Sequence, residues 1–215
     1  MTSTSNNIPP FDYRKHWNTV YSGKPVESLG WYEENPSRTL ELVERCNLDA
    51  DSRIFIPGAG STTLIDFLLK AGYRKVIAND LAHSAMENLK SRIGSENSVE
   101  YVVDDLTHPE RLTKLEPVDL WIDRAVLHFL IKERDIMNYF KLLKQLVKPR
   151  GYAILAEFSL EGAKKCSGLD VVNYSEAMLS ESMLPEFQLI ESFEYVYTSP
   201  SGGLRPYIYT LYQRC

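Results

Sequence analysis

Gly58 and Gly60, one residue apart, and Asp80, 20 residues after Gly60, are the residues here whose types and spacing could do chemistry. Glycine tolerates a positive φ and lets a ligand approach the backbone. The helix that starts just beyond adds unpaired N–H groups and a partial positive charge, which suit a polar or anionic ligand. A carboxylate at the tip of the neighbouring strand accepts hydrogen bonds from ribose hydroxyls. Together they read as a nucleoside-type site. Pro57, Ala59 and Thr62 of the same turn, and Leu81 after Asp80, complete the expected cradle. The plainer alternative is an ordinary strand-to-helix turn beside a solvated aspartate.

Such a site needs strands and helices to position it. Ile54-Phe55-Ile56 is a short apolar strand leading into the glycines. Leu64, Ile65, Phe67, Leu68 and Leu69 then follow helical spacing, and Gly72 is a C-terminal stop. Residues 75–80 read as the next strand, and a helix is expected over residues 83–93, stopped by Gly94. Val99 to Val103 is a third strand, ending in Asp104-Asp105. Val118 to Ile122 is a fourth, with Asp123 and Arg124 at its exit and His128 just beyond. Residues 135–147 have helical spacing, broken by Pro149-Arg150-Gly151, and Tyr152 to Phe158 is a fifth strand. Residues 174–183 read as the last helix. Glu191 to Tyr197 and Tyr207 to Tyr212 form a hairpin around Pro200-Ser201-Gly202-Gly203.

Ahead of the first strand, Phe11 to Trp31 is dense in aromatics, among them Tyr13, Trp17, Tyr21 and Trp31. They either plug the end of the sheet or close over a bound cofactor, with Trp17 and Trp31 as covering rings. Residues 36–46 form a short amphipathic helix. Met1 to Pro10 is polar, ends in Pro-Pro and reads as a mobile tail. The expected organisation is therefore a tail over 1–10 and one domain over 11–215, whose residues 11–48 are a helical arm or lid.

A dinucleotide fingerprint wants a third glycine at position 63, where Thr63 stands. The run instead resembles motif I of class I S-adenosylmethionine-dependent methyltransferases. Gly58 and Gly60 match the glycine pair and Asp80 the ribose-binding acid. The chain departs from that family at Ile56, where an acid usually stands. The resemblance extends to Asp104-Asp105-Leu106, where Asp105 takes the place of the acid that meets the adenine amino group and the Leu106 N–H faces a ring nitrogen. Asp105 could equally cap the following turn. The Asp123-Arg124 pair and the aromatic arm are similar to the small thiopurine-type methyltransferases. The family implies an α/β, Rossmann-like three-layer sandwich with a seven-stranded, mostly parallel sheet and an antiparallel C-terminal hairpin strand. It implies S-adenosyl-L-methionine as cofactor.

Methyl transfer asks mainly for alignment and exclusion of water. Asp123, Arg124 and His128 are the catalytic candidates, and Asp123 could also touch the cofactor. A carboxylate pair with Glu157 would suit a cationic amine; Arg124 would suit an acidic metabolite. The bland alternatives are a surface Asp–Arg pair and a packed histidine. Gly162 to Asp170 reads as a loop, in which Cys166-Ser167-Gly168 could border an acceptor pocket. Cys46, Cys166 and Cys215 have no disulfide or metal-knuckle spacing, and no metal is expected.

The 215 residues suffice for one α/β domain, and 44% hydrophobic with 25% charged residues is ordinary for a globule. A net charge of −5 without basic blocks argues against nucleic acid as partner. No apolar run approaches the roughly 20 residues of a membrane span. A cytoplasmic monomer or homodimer acting on a small molecule or a protein side chain is expected. The rival readings are an NAD-dependent oxidoreductase and a nucleoside-binding module without catalysis.

Overall fold

The computed structural model describes residues 11–94 and 98–215; the expected tail over 1–10 lies outside them. The arm supplies α1 (Tyr13–Gly23), capped by the Asp12 side chain, which accepts from the Lys15 N–H, and α2 (Ser37–Arg45). The first half of the sheet alternates with helices: β1 (Arg53–Ile56), α3 (Leu64–Lys70), β2 (Lys75–Asp80), α4 (His83–Ile93) and β3 (Val99–Val103). Gly94 ends α4 at φ +80°. The second half adds β4 (Val118–Arg124), α5 (Glu133–Leu146) and β5 (Val147–Phe158). A small ladder of β6 (Lys165–Cys166) and β7 (Leu169–Asp170), α6 (Glu176–Met183), β8 (Phe187–Thr198) and β9 (Leu204–Arg214) complete the chain.

The strand order is β3-β2-β1-β4-β5-β9-β8. β9 runs antiparallel to β5 and β8 antiparallel to β9; the other pairs are parallel. This is the Rossmann-like methyltransferase architecture. Side-chain alternation gives the sheet two apolar faces. Ile54 and Ile56 join Leu42, Leu68 and Met86 on the side of α2, α3 and α4. Phe55 joins Trp121, Leu143 and Met183 on the side of α5 and α6. Helices thus cover both faces, which is why the central strands are almost wholly apolar.

Two local expectations change. The break at Pro149-Arg150-Gly151 lies inside β5 and not before it. Val118 pairs with Val147, yet Leu120 pairs with Tyr152, so three extra residues bulge out, with Arg150 at φ +65°. Gly151 is needed there: a Cβ would sit 2.9 Å from the Lys148 carbonyl and 3.0 Å from that of Asp119. The segment around Cys166-Ser167-Gly168, expected as a loop, turns tightly with Ser167 and Gly168 at positive φ and pairs as β6 and β7.

Candidate active site

The reversal of strand order at β1, with β2 added on one side and β4 on the other, opens a crevice at the carboxyl ends of the strands. A cavity, partly open to solvent, lies there. Its floor is Gly58 and the tip of β2, with Asn79, Asp80 and Leu81. One wall is Asp104, Asp105, Leu106 and Thr107 after β3. The opposite wall comes from Arg124, Ala125, Val126 and Phe129 after β4, and Tyr13, Trp17, Tyr21 and Trp31 of the arm face it.

The glycine turn is built as its residue types require. Gly58 and Gly60 both have φ +51°. A Cβ on Gly58 would lie 2.4 Å from a Val126 methyl, and one on Gly60 2.3 Å from the Tyr21 hydroxyl. The Ala59 N–H donates to the Asn79 carbonyl at 2.7 Å and the Thr62 N–H to the Ala59 carbonyl at 2.9 Å. Pro57, Ala59, Gly60 and Thr62 therefore shape the turn, and Gly58 is the one that lines the cavity.

Asp80 is 5% exposed. Its Oδ2 accepts from the Gly60 N–H at 2.9 Å and its Oδ1 from the Ala82 N–H at 2.8 Å. Burial pushes its pKa up to about 6, against the pull of those amides. Each oxygen keeps acceptor capacity for a ribose hydroxyl. Asp104 and Asp105 divide their work differently. Asp104 Oδ2 accepts from the N–H groups of Glu110, Arg111 and Leu112 at 3.0, 2.8 and 2.9 Å, so it holds the loop together. Asp105 Oδ1 accepts from the Thr107 N–H and hydroxyl, both at 2.7 Å. It is a turn cap and a lining residue at once, and its Oδ2 lies 4.0 Å from His108 Nδ1.

Asp123 and His128 are the sequence candidates that the structure moves. Both are fully buried and neither lines the cavity. Asp123 accepts from the N–H groups of Val126 (3.0 Å) and Leu127 (3.2 Å) and from the Tyr139 hydroxyl (2.5 Å), itself held by the Trp121 indole N–H at 3.1 Å. Glu157 accepts from the His128 N–H at 3.2 Å and lies 3.0 Å from its Nδ1. Burial raises the pKa of Asp123, and that of Glu157 to about 8, and lowers that of His128 to about 3. The imidazole is neutral, and each of the two buried carboxyls disfavours ionisation of the other. This network props the loop that forms the cavity wall from behind. Ala125, at φ +66°, lets that loop double back.

Arg124 does reach the wall. Its Nε lies 2.8 Å from Glu33 and 3.1 Å from the Tyr209 hydroxyl, and its Nη1 donates to the Trp31 carbonyl at 3.0 Å. It ties the arm to the far side of the sheet. The arm is also bonded to α4: Ser84 N–H to the Asn18 side chain at 3.0 Å, and the Asn88 amide to the Tyr21 carbonyl at 3.0 Å. Trp17 and Trp31, the expected covering rings, line the cavity. Tyr21, Phe129 and Cys166 line it too. Tyr21 was legible four residues after Trp17 on the same helix face; Phe129 carried no sequence signal. Burial raises the Cys166 thiol to about 11, so it is protonated. Ile56 is buried, so the position that usually carries an acid contributes packing. No group of three or more potential metal ligands occurs among the described residues.

Residues 56–155 match the family model of the methyltransferase domain. No curated protein sequence matches the chain. Among solved structures, a SAM-dependent methyltransferase from Anabaena variabilis superposes with a TM-score of 0.77 at 15% identity, covering 94% of this chain and 93% of that one. The 1,6-didemethyltoxoflavin-N1-methyltransferase of Burkholderia thailandensis, solved with S-adenosylhomocysteine, gives 0.64 at 18% identity, covering 94% and 83%. A structure from echinomycin biosynthesis gives 0.75 at 15% identity, covering 94% and 92%. Residues 56–155 thus match a methyltransferase domain, the whole chain has the fold of class I S-adenosylmethionine-dependent methyltransferases, and both support S-adenosylmethionine as the cofactor. Nothing in these findings supports the oxidoreductase or the non-catalytic alternative. No helix among the described residues is long and apolar enough to cross a membrane.

Proposed function

We propose that this methyltransferase acts on a small molecule bound in the same cavity, between the arm and the β4 wall. The observation that carries the reading is that one cavity holds both Asp80 with Gly58 and the rings of Trp17, Trp31 and Phe129. The residues fit the cofactor: a glycine floor with no room for a Cβ, and a buried carboxylate with lone pairs to spare. Asp80 would hold the ribose, Asp105 and Leu106 the adenine edge, and Gly58 and Trp31 the methionine end. The bound cofactor supplies an electrophilic methyl on a sulfonium sulfur.

The chain's own contribution is placement and dryness. The arm and Phe129 shield the reacting end from water. Asp123, Glu157 and His128 act as positioning residues, holding the loop from Val126 to Phe129. Arg124 fixes Trp31 through its carbonyl. We place the protein in the cytoplasm, as a monomer or homodimer.

Calorimetry with S-adenosylhomocysteine tests the cofactor seat; saturable binding is expected. Incubation with cell extract and a methyl-labelled cofactor, followed by separation by size, tests the acceptor. Label in the small-molecule fraction is expected. Label confined to macromolecules would overturn the small-molecule reading.

A further inference from the structure

We infer that the acceptor is an amine, methylated on nitrogen. This deepens the reading above, on which it rests, by naming the substrate class. The sequence leaves two possibilities open, an acidic metabolite held by Arg124 or a cationic amine, and the arrangement of the cavity separates them.

Arg124 is the only cation among the described residues of the lining. It is already spent. Glu33 lies 2.8 Å from its Nε, and the two side chains are both 12% exposed. The Tyr209 hydroxyl and the Trp31 carbonyl take further N–H groups, and the rings of Tyr197 and Tyr207 lie 4.9 Å from the guanidinium carbon. Nη2 has no partner and is buried. An anionic acceptor therefore meets a cation whose charge Glu33 already balances and whose one open N–H group is buried. It meets carboxylates as well: Asp80, Asp104, Asp105 and Asp135 all line the cavity, and none is paired with Lys or Arg among the described residues. Their combined field attracts cations and repels anions.

The arm end adds a surface made for a cation. Trp17 meets Trp31 edge-on, with centroids 5.7 Å apart and planes at 79°. It meets Phe129 at 4.9 Å and 77°, and Tyr21 meets Trp31 at 6.2 Å and 77°. Adjoining rings at nearly right angles meet like the walls of a box. Aromatic faces attract onium groups, and the attraction grows as water is removed. The nitrogen lone pair of a neutral amine forms the new N–C bond as the C–S bond breaks. The bonding electrons leave on a neutral thioether. The positive charge thus moves from sulfur to nitrogen and does not vanish, so the box stabilises it throughout. The ammonium proton goes to water. An anionic oxygen or sulfur nucleophile would cancel the charge and forfeit that stabilisation.

The test uses the full chain loaded with S-adenosylhomocysteine and three probes, followed by calorimetry. They are benzyltrimethylammonium, its neutral carbon isostere neopentylbenzene, and phenylacetate. The cation is expected to bind about 3- to 30-fold more tightly than the isostere, with phenylacetate weakest. Trp31→Leu should bring the first two within about twofold, and Trp31→Phe should keep part of the gap. Equal binding of cation and isostere, or tightest binding of phenylacetate, overturns the inference. The three-probe comparison in the unmutated protein decides even if Trp31→Leu does not fold. Failure to bind S-adenosylhomocysteine at all would strike the cofactor reading instead.

Discussion

Asp80 and Asp123 stand at the tips of strands on either side of β1, and they do opposite things. Asp80 opens onto the cavity with two backbone amides as its partners. Asp123 turns away, accepts from two amides and the Tyr139 hydroxyl, and sits against a second carboxyl, that of Glu157. Burial raises both pKa values. The difference is what else each carboxylate is asked to hold. Asp80 keeps lone pairs for a ligand, and Asp123 spends its own on the chain. A strand-tip acid is therefore a ligand group only when the loop after it does not consume it.

Mutation should pull the two apart. Asp123→Ala would leave the Val126 and Leu127 N–H groups and the Tyr139 hydroxyl without partners. Removing several buried hydrogen bonds should lower unfolding stability by about 3–5 kcal/mol, measured by urea denaturation. A loss under about 1 kcal/mol would break the contrast. Asp80→Ala should reverse the pattern. Affinity for S-adenosylhomocysteine should drop about 10-fold or more, the size of a lost charge-assisted hydrogen bond, while stability falls less than in Asp123→Ala, because the Gly60 and Ala82 N–H groups lose their acceptor but a buried charge is also removed.

Acidity sharpens the same contrast. Asp80 titrates near 6, above its ordinary value, because burial disfavours the charge. Its ionised form therefore carries a stability penalty above pH 6, relieved as the pH falls toward 4. Cofactor affinity moves the other way, since protonation removes the acceptor. Binding should weaken about 10-fold from pH 7 to pH 5, and Asp80→Asn should flatten that profile. A profile unchanged in Asp80→Asn would assign the titration elsewhere. The smallest effect is at the turn. Gly60→Ala puts a methyl into the Tyr21 hydroxyl at positive φ and should destabilise the chain by about 1–2 kcal/mol, with Tyr21→Phe recovering part of it.

These particulars show what was legible in the sequence. The glycine turn, Asp80 and the bounds of α4 followed from local chemistry: Gly58 and Gly60 need φ +51°, and Gly94 ends its helix. The closing hairpin followed from alternating apolar residues around a Ser-Pro-Ser-Gly-Gly turn. The role of His128 did not follow, because whether a ring points into a cavity or between Phe129 and Phe158 depends on packing from β5. The excursion in β5 was also hidden: Pro149-Arg150-Gly151 breaks a helix and bulges a strand with the same residues. Phe129 reached the cavity only because Ala125 doubles the loop back.

The clasp made by Arg124 carries a consequence for truncation. Trp31 and Glu33 precede every strand of the sheet, yet their partner Arg124 also donates to the Tyr209 hydroxyl on β9, and the Tyr197 hydroxyl on β8 donates to the Tyr32 carbonyl. The arm is braced only once β8 and β9 are in place. A truncated chain lacking β9 would keep the glycine floor and lose this brace on the arm.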